Sequence, residues 1–187
     1  MRVAVIGAGS FGTVLADIAA HNRCDVTIYA RRKDLAEEIN LHRRNTRYHP
    51  ELELHDSIRA LSDLREVVHD ADLTLLSIPS KSMDHVCSDL AQVISEETAL
   101  LSTTKGIRSD GFKLMSQVIS ERLPDHPIGV LSGPNLAHEV AERHLTASVV
   151  ASQSPTVRKL TRDAFATKYF RLYSSEDLIS VELGGAL

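Results

Sequence analysis

The first twenty residues constrain the fold more than any other part of the chain. An apolar segment, 2–6, runs directly into Gly7, Gly9 and Gly12, which have the spacing G-x-G-x-x-G, and residues 13–20 follow with apolar side chains at helical spacing. A strand, a glycine turn and a helix in this order are typical of a dinucleotide-binding fold, whereas an isolated glycine triplet is weak support for one. The alternative is a tight structural turn in some other α/β domain.

Each glycine of this turn has a physical role in a dinucleotide site. Gly7 allows the tight turn, Gly9 lets a pyrophosphate approach the backbone, and Gly12 lets the helix pack closely on the strand. The free N–H groups and the dipole at the start of the helix favour a bound phosphate. We therefore predict that a dinucleotide binds over the start of the first helix.

Composition excludes several classes of protein. The 187 residues suit one domain with a substantial core, or one domain and the start of another. A net charge of -4 gives no electrostatic reason to expect nucleic acid or a membrane surface as a partner. No apolar run is long enough to span a bilayer, and no signal peptide is expected because the core strand begins at residue 3.

The cysteines and histidines predict no metal site. Cys24 and Cys87 lack metal-binding or redox spacing, and the nine histidines form no H-x-x-x-H or H-E-x-x-H pattern. We expect both cysteines to be buried or half-buried thiols in a reducing cytoplasm.

Strand-like and helix-like segments alternate along the chain. The predicted strands are 2–6, 25–29, 52–55, 73–77, 98–102, 128–132, 145–151 and 169–173. The predicted helices are 10–22, 33–44, 62–69, 82–94, 111–122, 135–142 and 154–166. This order predicts an α/β fold, a doubly wound Rossmann-type sheet that is mostly parallel and has helices on both faces.

The domain boundary is expected near residue 175. Residues 1–175 are predicted to form the dinucleotide-binding domain, and 176–187 the truncated start of a further helical domain. The segment 180–187 is small and apolar and has no stop signal, so it is expected to need a packing partner. The alternative is a tail that frays in solvent.

Two arginines predict which cofactor is bound. An NAD site usually places an acid at the end of the second strand, but Arg31 and Arg32 stand there, and Asp34 falls in the next predicted helix. Guanidinium groups bind phosphate through forked, charged hydrogen bonds. The sequence therefore favours NADPH over NADH, the alternative being a basic loop in solvent.

Polar segments follow several of the predicted strands, at the edge where an open α/β sheet binds ligands. Lys105 precedes a glycine there and can reach a hydroxyl or carbonyl oxygen of a ligand, unless it is an ordinary solvated lysine. Gly133, Pro134 and Asn135 form a turn into a helix, for which capping alone is the favoured interpretation at this point.

Taken together, these segments resemble a known family. In their order and spacing they are similar to the N-terminal part of the bacterial-type NAD(P)-dependent glycerol-3-phosphate dehydrogenases. The matching segments are 7–13, 45–50, 78–80, 104–107, 132–140 and 181–187.

The resemblance implies a reaction and a set of partners. The family interconverts dihydroxyacetone phosphate and sn-glycerol 3-phosphate by hydride transfer with NAD(P)H, and it supplies glycerol phosphate for phospholipid synthesis. It also implies a homodimer for the full-length protein. Related two-domain dehydrogenases of hydroxy acids or ketopantoate share the first fold, but the Thr-Lys-Gly and Ser-Gly-Pro segments favour the glycerol phosphate enzyme.

The resemblance also implies roles for particular residues. The cofactor contacts are expected at Gly7, Gly9, Ser10, Phe11, Gly12, Arg31, Arg32, Tyr48, Pro79, Lys105 and Ala137. The substrate contacts are expected at Lys105, Gly133 and Asn135. Phe11 stands where the family usually has Trp, and Asn135 where it often has Ser or Thr.

The catalytic lysine of the family is not among these residues. It directly follows the Gly-Gly-Ala-Leu segment, which here ends at Leu187, and the helical C-terminal domain follows it in the family. The 187 residues are thus expected to bind cofactor weakly and to turn over little substrate, since general acid help contributes about 10²–10⁴-fold. The alternative is a stand-alone dinucleotide-binding regulatory module.

Overall fold

A computed structural model describes residues 1–186, so Leu187, the last position of the predicted segment 176–187, lies outside the described residues. The strands are β1 (Arg2–Ile6), β2 (Asp25–Tyr29), β3 (Arg59–Leu61), β4 (Leu73–Leu76), β5 (Ala99–Ser102), β6 (Ile107–Arg108), β7 (Lys113–Leu114), β8 (Ile128–Ser132), β9 (Thr146–Ala151) and β10 (Phe170–Ser175). The helices are α1 (Ser10–His21), α2 (Lys33–His42), α3 (Leu64–Val68), α4 (Met83–Leu90), α5 (Met115–Arg122), α6 (Ala137–Ala141), α7 (Pro155–Phe165) and α8 (Leu178–Ala186). A short 3₁₀ helix, Ser80–Ser82, precedes α4.

Eight of the strands form one sheet in the order β10-β9-β8-β5-β4-β1-β2-β3, and β6 and β7 form a separate hairpin. Within the large sheet, neighbouring strands are parallel except for β8 and β9, which are antiparallel. The predicted doubly wound, mostly parallel sheet is therefore confirmed. The carboxyl ends of β1, β2, β4, β5 and β8 share one edge, where polar loops follow them.

Side chains of the central strands alternate between two hydrophobic cores. In β1, Val3 and Val5 pack on the face covered by α1, α2, α6 and α7, whereas Ala4 and Ile6 pack on the face covered by α3, α4 and α5. Both faces of the sheet are covered by helices, which is why these strands are almost continuously apolar. Cys24 and Cys87 are both buried in these cores, as expected.

The predicted strand at 52–55 is wrong. These residues form an irregular connection in which Leu54 is buried, and the third strand is β3, further along the chain. The Leu54 N–H donates to the Arg43 carbonyl oxygen at 2.8 Å, and the His55 N–H donates to Asp17 Oδ1 at 2.9 Å. The alternation of leucine with acidic residues thus reflects packing against α1 and not a strand ladder.

The predicted helix at 111–122 begins later than expected. Gly111 and Phe112 have positive φ values of 77° and 51°, which lie outside the helical region. They make the turn of the β6–β7 hairpin, and α5 begins only at Met115.

The chain after β10 forms α8, which packs against β8. Its Glu182 is buried and accepts a hydrogen bond from the Ser116 backbone N–H at 2.9 Å. Within residues 1–186, no helix combines the length and the apolar character that crossing a membrane requires.

Candidate functional site

The glycine turn between β1 and α1 leaves no room for side chains at two of its three glycines. Gly7 has a φ of 118°, and a Cβ atom there would lie 2.3 Å from the Ser77 carbonyl oxygen. A Cβ atom at Gly12 would lie 2.2 Å from the Gly7 carbonyl oxygen. A Cβ atom at Gly9 would meet no atom of the described residues within 4 Å, so the backbone there faces open space. This arrangement fits a ligand that approaches the backbone at Gly9.

The start of α1 is suited to an anion. Gly9 is the N-cap residue, no side chain in the described part of the chain caps the helix, and its first turn carries no acidic residue. The first N–H groups of a helix have no intrahelical partners, and the helix dipole places partial positive charge at this end. A phosphate group would satisfy both the donors and the charge.

A cleft of about 530 Å³ opens above this turn, at the carboxyl ends of β1, β2, β4 and β5. Its volume lies within the range typical of small-molecule sites. Most of the predicted cofactor residues line it, namely Gly7, Gly9, Ser10, Phe11, Arg31, Arg32, Tyr48, Pro79 and Lys105. The structure thus brings together residues from five segments that are distant in the sequence.

Arg31 and Arg32 differ in their surroundings. The Arg32 guanidinium forms two hydrogen bonds with Asp34, from Nε to Oδ1 at 3.1 Å and from Nη2 to Oδ2 at 2.9 Å. This hydrogen bonding lowers the pKa of Asp34. Among the described residues, Arg31 forms no ion pair. Of these two arginines, Arg31 can therefore bind a ligand without first breaking an ion pair, whereas Arg32 cannot.

Arg47 adds a further positive charge to the cleft. It lines the cavity beside Tyr48, and its guanidinium carbon lies 5.6 Å from the Tyr48 ring centroid. That distance is within the range of a cation–π contact. No role for Arg47 follows from the sequence pattern alone, although it belongs to the segment 45–50 that carries the family resemblance.

The segment 45–49 is fixed to the glycine turn by two buried side chains. Asn45 Nδ2 donates to the Ala8 carbonyl oxygen at 3.1 Å and to Thr13 Oγ1 at 2.8 Å. His49 Nε2 lies 2.9 Å from the Ser10 carbonyl oxygen and 3.0 Å from Ser10 Oγ. These contacts place Tyr48 at the mouth of the cleft.

Lys105 lies between the cleft and the turn after β8. Its Nζ donates to the Gly133 carbonyl oxygen at 3.2 Å. The preceding Thr104 hydroxyl donates to the Ile78 carbonyl oxygen at 2.9 Å, and Gly106 follows with a φ of 137°. A buried hydroxyl and a glycine conformation therefore hold the backbone on either side of the exposed lysine.

Gly133, Asn135 and Ala137 lie beside the cleft and not in its lining. Asn135 Nδ2 donates to Thr146 Oγ1 at 2.8 Å and to the Ala147 carbonyl oxygen at 3.0 Å, and Asn135 Oδ1 accepts from the Ser148 hydroxyl. The amide thus joins the turn to β9, and one lone pair of Oδ1 remains for a ligand. Substrate contact by Asn135 stays a prediction.

A second cleft, of about 540 Å³, lies at the amino ends of β1 and β2. Its basic residues are largely neutralised, because Arg2 pairs with Asp70 at 2.9 Å and Arg59 with Asp25 at 3.2 Å. Ligands of open α/β sheets bind at the opposite edge. The cleft above α1 is therefore the candidate site.

Comparison with known proteins identifies similar chains. The family model described as NAD-dependent glycerol-3-phosphate dehydrogenase N-terminus matches residues 2–158. A glycerol-3-phosphate dehydrogenase [NAD(P)+] of Acinetobacter baumannii is 46% identical over 187 residues, which is 100% of this chain and 52% of that protein. Its counterpart in Teredinibacter turnerae is 44% identical over 100% of this chain and 55% of its own length.

A solved structure shows the same fold. The crystal structure of glycerol-3-phosphate dehydrogenase from Coxiella burnetii superposes with a TM-score of 0.93 at 30% sequence identity. The match covers 98% of this chain and 56% of that one. The chain thus spans about half the length of the relatives that it matches.

Proposed function

The chain belongs to the NAD-dependent glycerol-3-phosphate dehydrogenase family through its match over residues 2–158, and on this premise we propose that it binds NADH or NADPH in the cleft above α1. The observation that carries the proposal is the glycine turn. A side chain at Gly7 or Gly12 would clash with the backbone, whereas Gly9 faces open space. No side chain of the described residues caps the start of α1. The pyrophosphate of a dinucleotide has the charge and the small cross-section that this turn accommodates.

The basic end of the cleft supports a preference for NADPH. Arg31 and Arg32 follow β2, where the adenosine ribose lies in this class of fold, and none of the described residues that line the cleft is an aspartate or glutamate. Arg31 binds a 2′-phosphate in this proposal, and Arg32 can join it by exchanging Asp34 for the phosphate. Tyr48 lies close to the same end.

The proposed reaction is the interconversion of dihydroxyacetone phosphate and sn-glycerol 3-phosphate. The support is the family match and the names of the two relatives described above, both glycerol-3-phosphate dehydrogenase [NAD(P)+]. The nicotinamide ring, when bound, supplies or accepts the hydride. Lys105 contacts both ligands in this proposal, because its ammonium group has one acceptor within residues 1–186 and keeps two N–H groups for substrate oxygens. Gly133 and Asn135 form the neighbouring part of the substrate site.

The division of labour along the chain is also proposed. Residues 1–175 form the cofactor-binding domain, and 176–187 begin the helical substrate domain of the family. The whole enzyme acts as a cytoplasmic homodimer that supplies glycerol phosphate for phospholipids. The 187 residues alone bind cofactor and turn over little substrate, because they span about half the length of the relatives and positioning of substrate contributes up to about 7–11 kcal/mol.

Titration of the 187-residue chain with NADPH and NADH tests the cofactor proposal. We expect tighter binding of NADPH, and Arg31→Ala should weaken NADPH about tenfold while leaving NADH nearly unchanged, since a hydrogen bond to a charged group contributes about 1.5–3 kcal/mol. Arg59→Ala is the matched control, because Arg59 pairs with Asp25 at the opposite edge of the sheet. Equal affinities that do not respond to Arg31 would contradict the NADPH preference, and no binding of either cofactor would contradict the site.

An assay of dihydroxyacetone phosphate reduction tests the proposed activity. We expect the 187-residue chain to consume NADPH far more slowly than a full-length relative under the same conditions. Turnover at a rate near that of the relative would contradict the proposed division of labour.

A further inference from the structure

His49 is the only side chain among residues 1–186 that is hydrogen-bonded to Ser10. It is buried at 6% exposure, and its own backbone N–H donates to the Asn45 carbonyl oxygen at 2.9 Å. One ring nitrogen, Nε2, reaches both oxygens of Ser10, the carbonyl oxygen at 2.9 Å and Oγ at 3.0 Å.

The carbonyl contact determines where the imidazole hydrogen lies. A carbonyl oxygen can only accept a hydrogen bond, so Nε2 must carry a hydrogen. This holds for the neutral ring and for the imidazolium, because both can have hydrogen on Nε2. A nitrogen that carries hydrogen cannot accept one, so the Ser10 hydroxyl accepts from His49 and cannot donate to it.

The hydrogen of the Ser10 hydroxyl therefore does not form a hydrogen bond with His49. Ser10 is the first residue of α1 and lines the cleft beside Gly9. A hydroxyl group whose lone pair is engaged turns its hydrogen away from the donor, and a charged acceptor binds such a hydrogen strongly.

We propose that His49 is a positioning residue for the cofactor phosphates: its Nε2–H group orients the Ser10 hydroxyl so that the hydroxyl donates to a pyrophosphate oxygen. The inference rests on the proposed dinucleotide site. It assigns to the segment 45–49, which is fixed to the glycine turn, the further role of orienting the Ser10 hydroxyl as a donor.

The imidazole tautomer is the first test and requires no cofactor. Long-range ¹H–¹⁵N correlation spectra of the 187-residue chain should show His49 with hydrogen on Nε2, as the neutral Nε2–H form or as imidazolium. A neutral ring with hydrogen on Nδ1 alone would overturn the proposal. Because this measurement uses the unaltered chain, it stays decisive even where a His49 variant fails to fold.

A double-mutant cycle is the second test. Ser10→Ala should weaken NADPH binding about tenfold in the unaltered chain, but less than about twofold in a His49→Phe background, where the hydroxyl is no longer oriented. His69→Phe is the control, since the exposed His69 lies at the opposite edge of the sheet. Circular dichroism confirms folding of each variant.

The two proposals fail differently. If the unaltered chain binds NADPH and the effect of Ser10→Ala is the same in both backgrounds, the role of His49 is overturned and the cofactor site stands. If the unaltered chain binds no dinucleotide, the proposed function is overturned together with the role of Ser10.

Discussion

Glu182 of α8 and Ser116 of α5 are joined by two hydrogen bonds. The Ser116 backbone N–H donates to Glu182 Oε1 at 2.9 Å, and the Ser116 hydroxyl donates to Oε2. Since Ser116 lies in the first turn of α5, the carboxylate satisfies a helix N–H group that has no intrahelical partner. Burial of the side chain raises the pKa of Glu182.

This contact predicts a pH-dependent contribution to stability. Because the native pKa of Glu182 is raised, the folded chain binds the proton more tightly than the unfolded chain does. The resulting stabilisation is full below the ordinary glutamate pKa of 4.5 and is lost as pH rises through the native value. We expect the free energy of unfolding of the unaltered chain to fall relative to that of Glu182→Gln between pH 4 and pH 8, measured by urea denaturation.

Glu121 provides the control for this experiment. Its hydrogen bond with Lys113 lowers its pKa, so its contribution has the opposite sign and appears as pH rises. Glu121 is exposed, so the effect of Glu121→Gln should be small. A constant difference between the unaltered chain and Glu182→Gln over this pH range would show that the Glu182 pKa is the same in both states.

The Arg32–Asp34 pair predicts a variant with stronger NADPH preference. Asp34→Asn removes the carboxylate that holds the Arg32 guanidinium, which then becomes available to a 2′-phosphate. We expect the ratio of NADPH to NADH affinity to rise a few-fold, in keeping with the small energies of exposed ion pairs. Asp56→Asn is the control, since Asp56 is exposed and pairs with His55. A lower ratio for Asp34→Asn would indicate that the carboxylate positions Arg32 and does not compete for it.

Two glycines of the turn predict opposite phenotypes. Gly9→Ala places a methyl group in open space, so the chain should stay folded with a loss below about 1 kcal/mol while the phosphate approach is blocked. Gly12→Ala forces a Cβ atom to 2.2 Å from the Gly7 carbonyl oxygen, so the fold itself should lose stability. Thermal unfolding and NADPH titration of both variants separate the effects. Unchanged NADPH affinity in Gly9→Ala would contradict the placement of the pyrophosphate.

The hydrogen bonds of Asn45 predict that its replacement lowers both the stability of the chain and its affinity for NADPH. Asn45→Ala leaves the Ala8 carbonyl oxygen and the Thr13 hydroxyl without their buried donor, at a cost of about 1–3 kcal/mol. Because Ala8 belongs to the glycine turn, NADPH affinity should also fall. Asn40 is the matched control, since its amide forms two hydrogen bonds of 2.8 Å with the backbone of Ala60 in β3. Asn40→Ala should lower the free energy of unfolding without changing NADPH affinity, and equal affinity losses in both variants would contradict a local effect.

Local sequence determined much of this fold and less of the site. The β1–turn–α1 unit was predictable because glycine spacing and apolar periodicity are local properties. The segment 52–55 was mispredicted because the partner of the His55 N–H is the Asp17 carboxylate, 38 residues earlier in the chain. The contact of His49 with Ser10 likewise spans 39 residues and depends on a folded loop. The pairing of Arg32 with Asp34 is local, but it depends on a side-chain conformation that no spacing rule specifies.

The antiparallel orientation of β9 determines the direction in which α8 runs. Because β9 runs antiparallel to β8, and β10 runs parallel to β9, the strand β10 ends at the edge of the sheet opposite the cleft. The helix α8 then starts at that far edge and rises about 14 Å over its nine residues. It ends with Gly185 packed so closely on Ser132 that a Cβ atom would lie 2.0 Å from the Ser132 hydroxyl oxygen. In a wholly parallel sheet the same helix would start at the cleft edge and run away from it, whereas here the two inverted strands β9 and β10 make α8 run back to the edge where Lys105 lies.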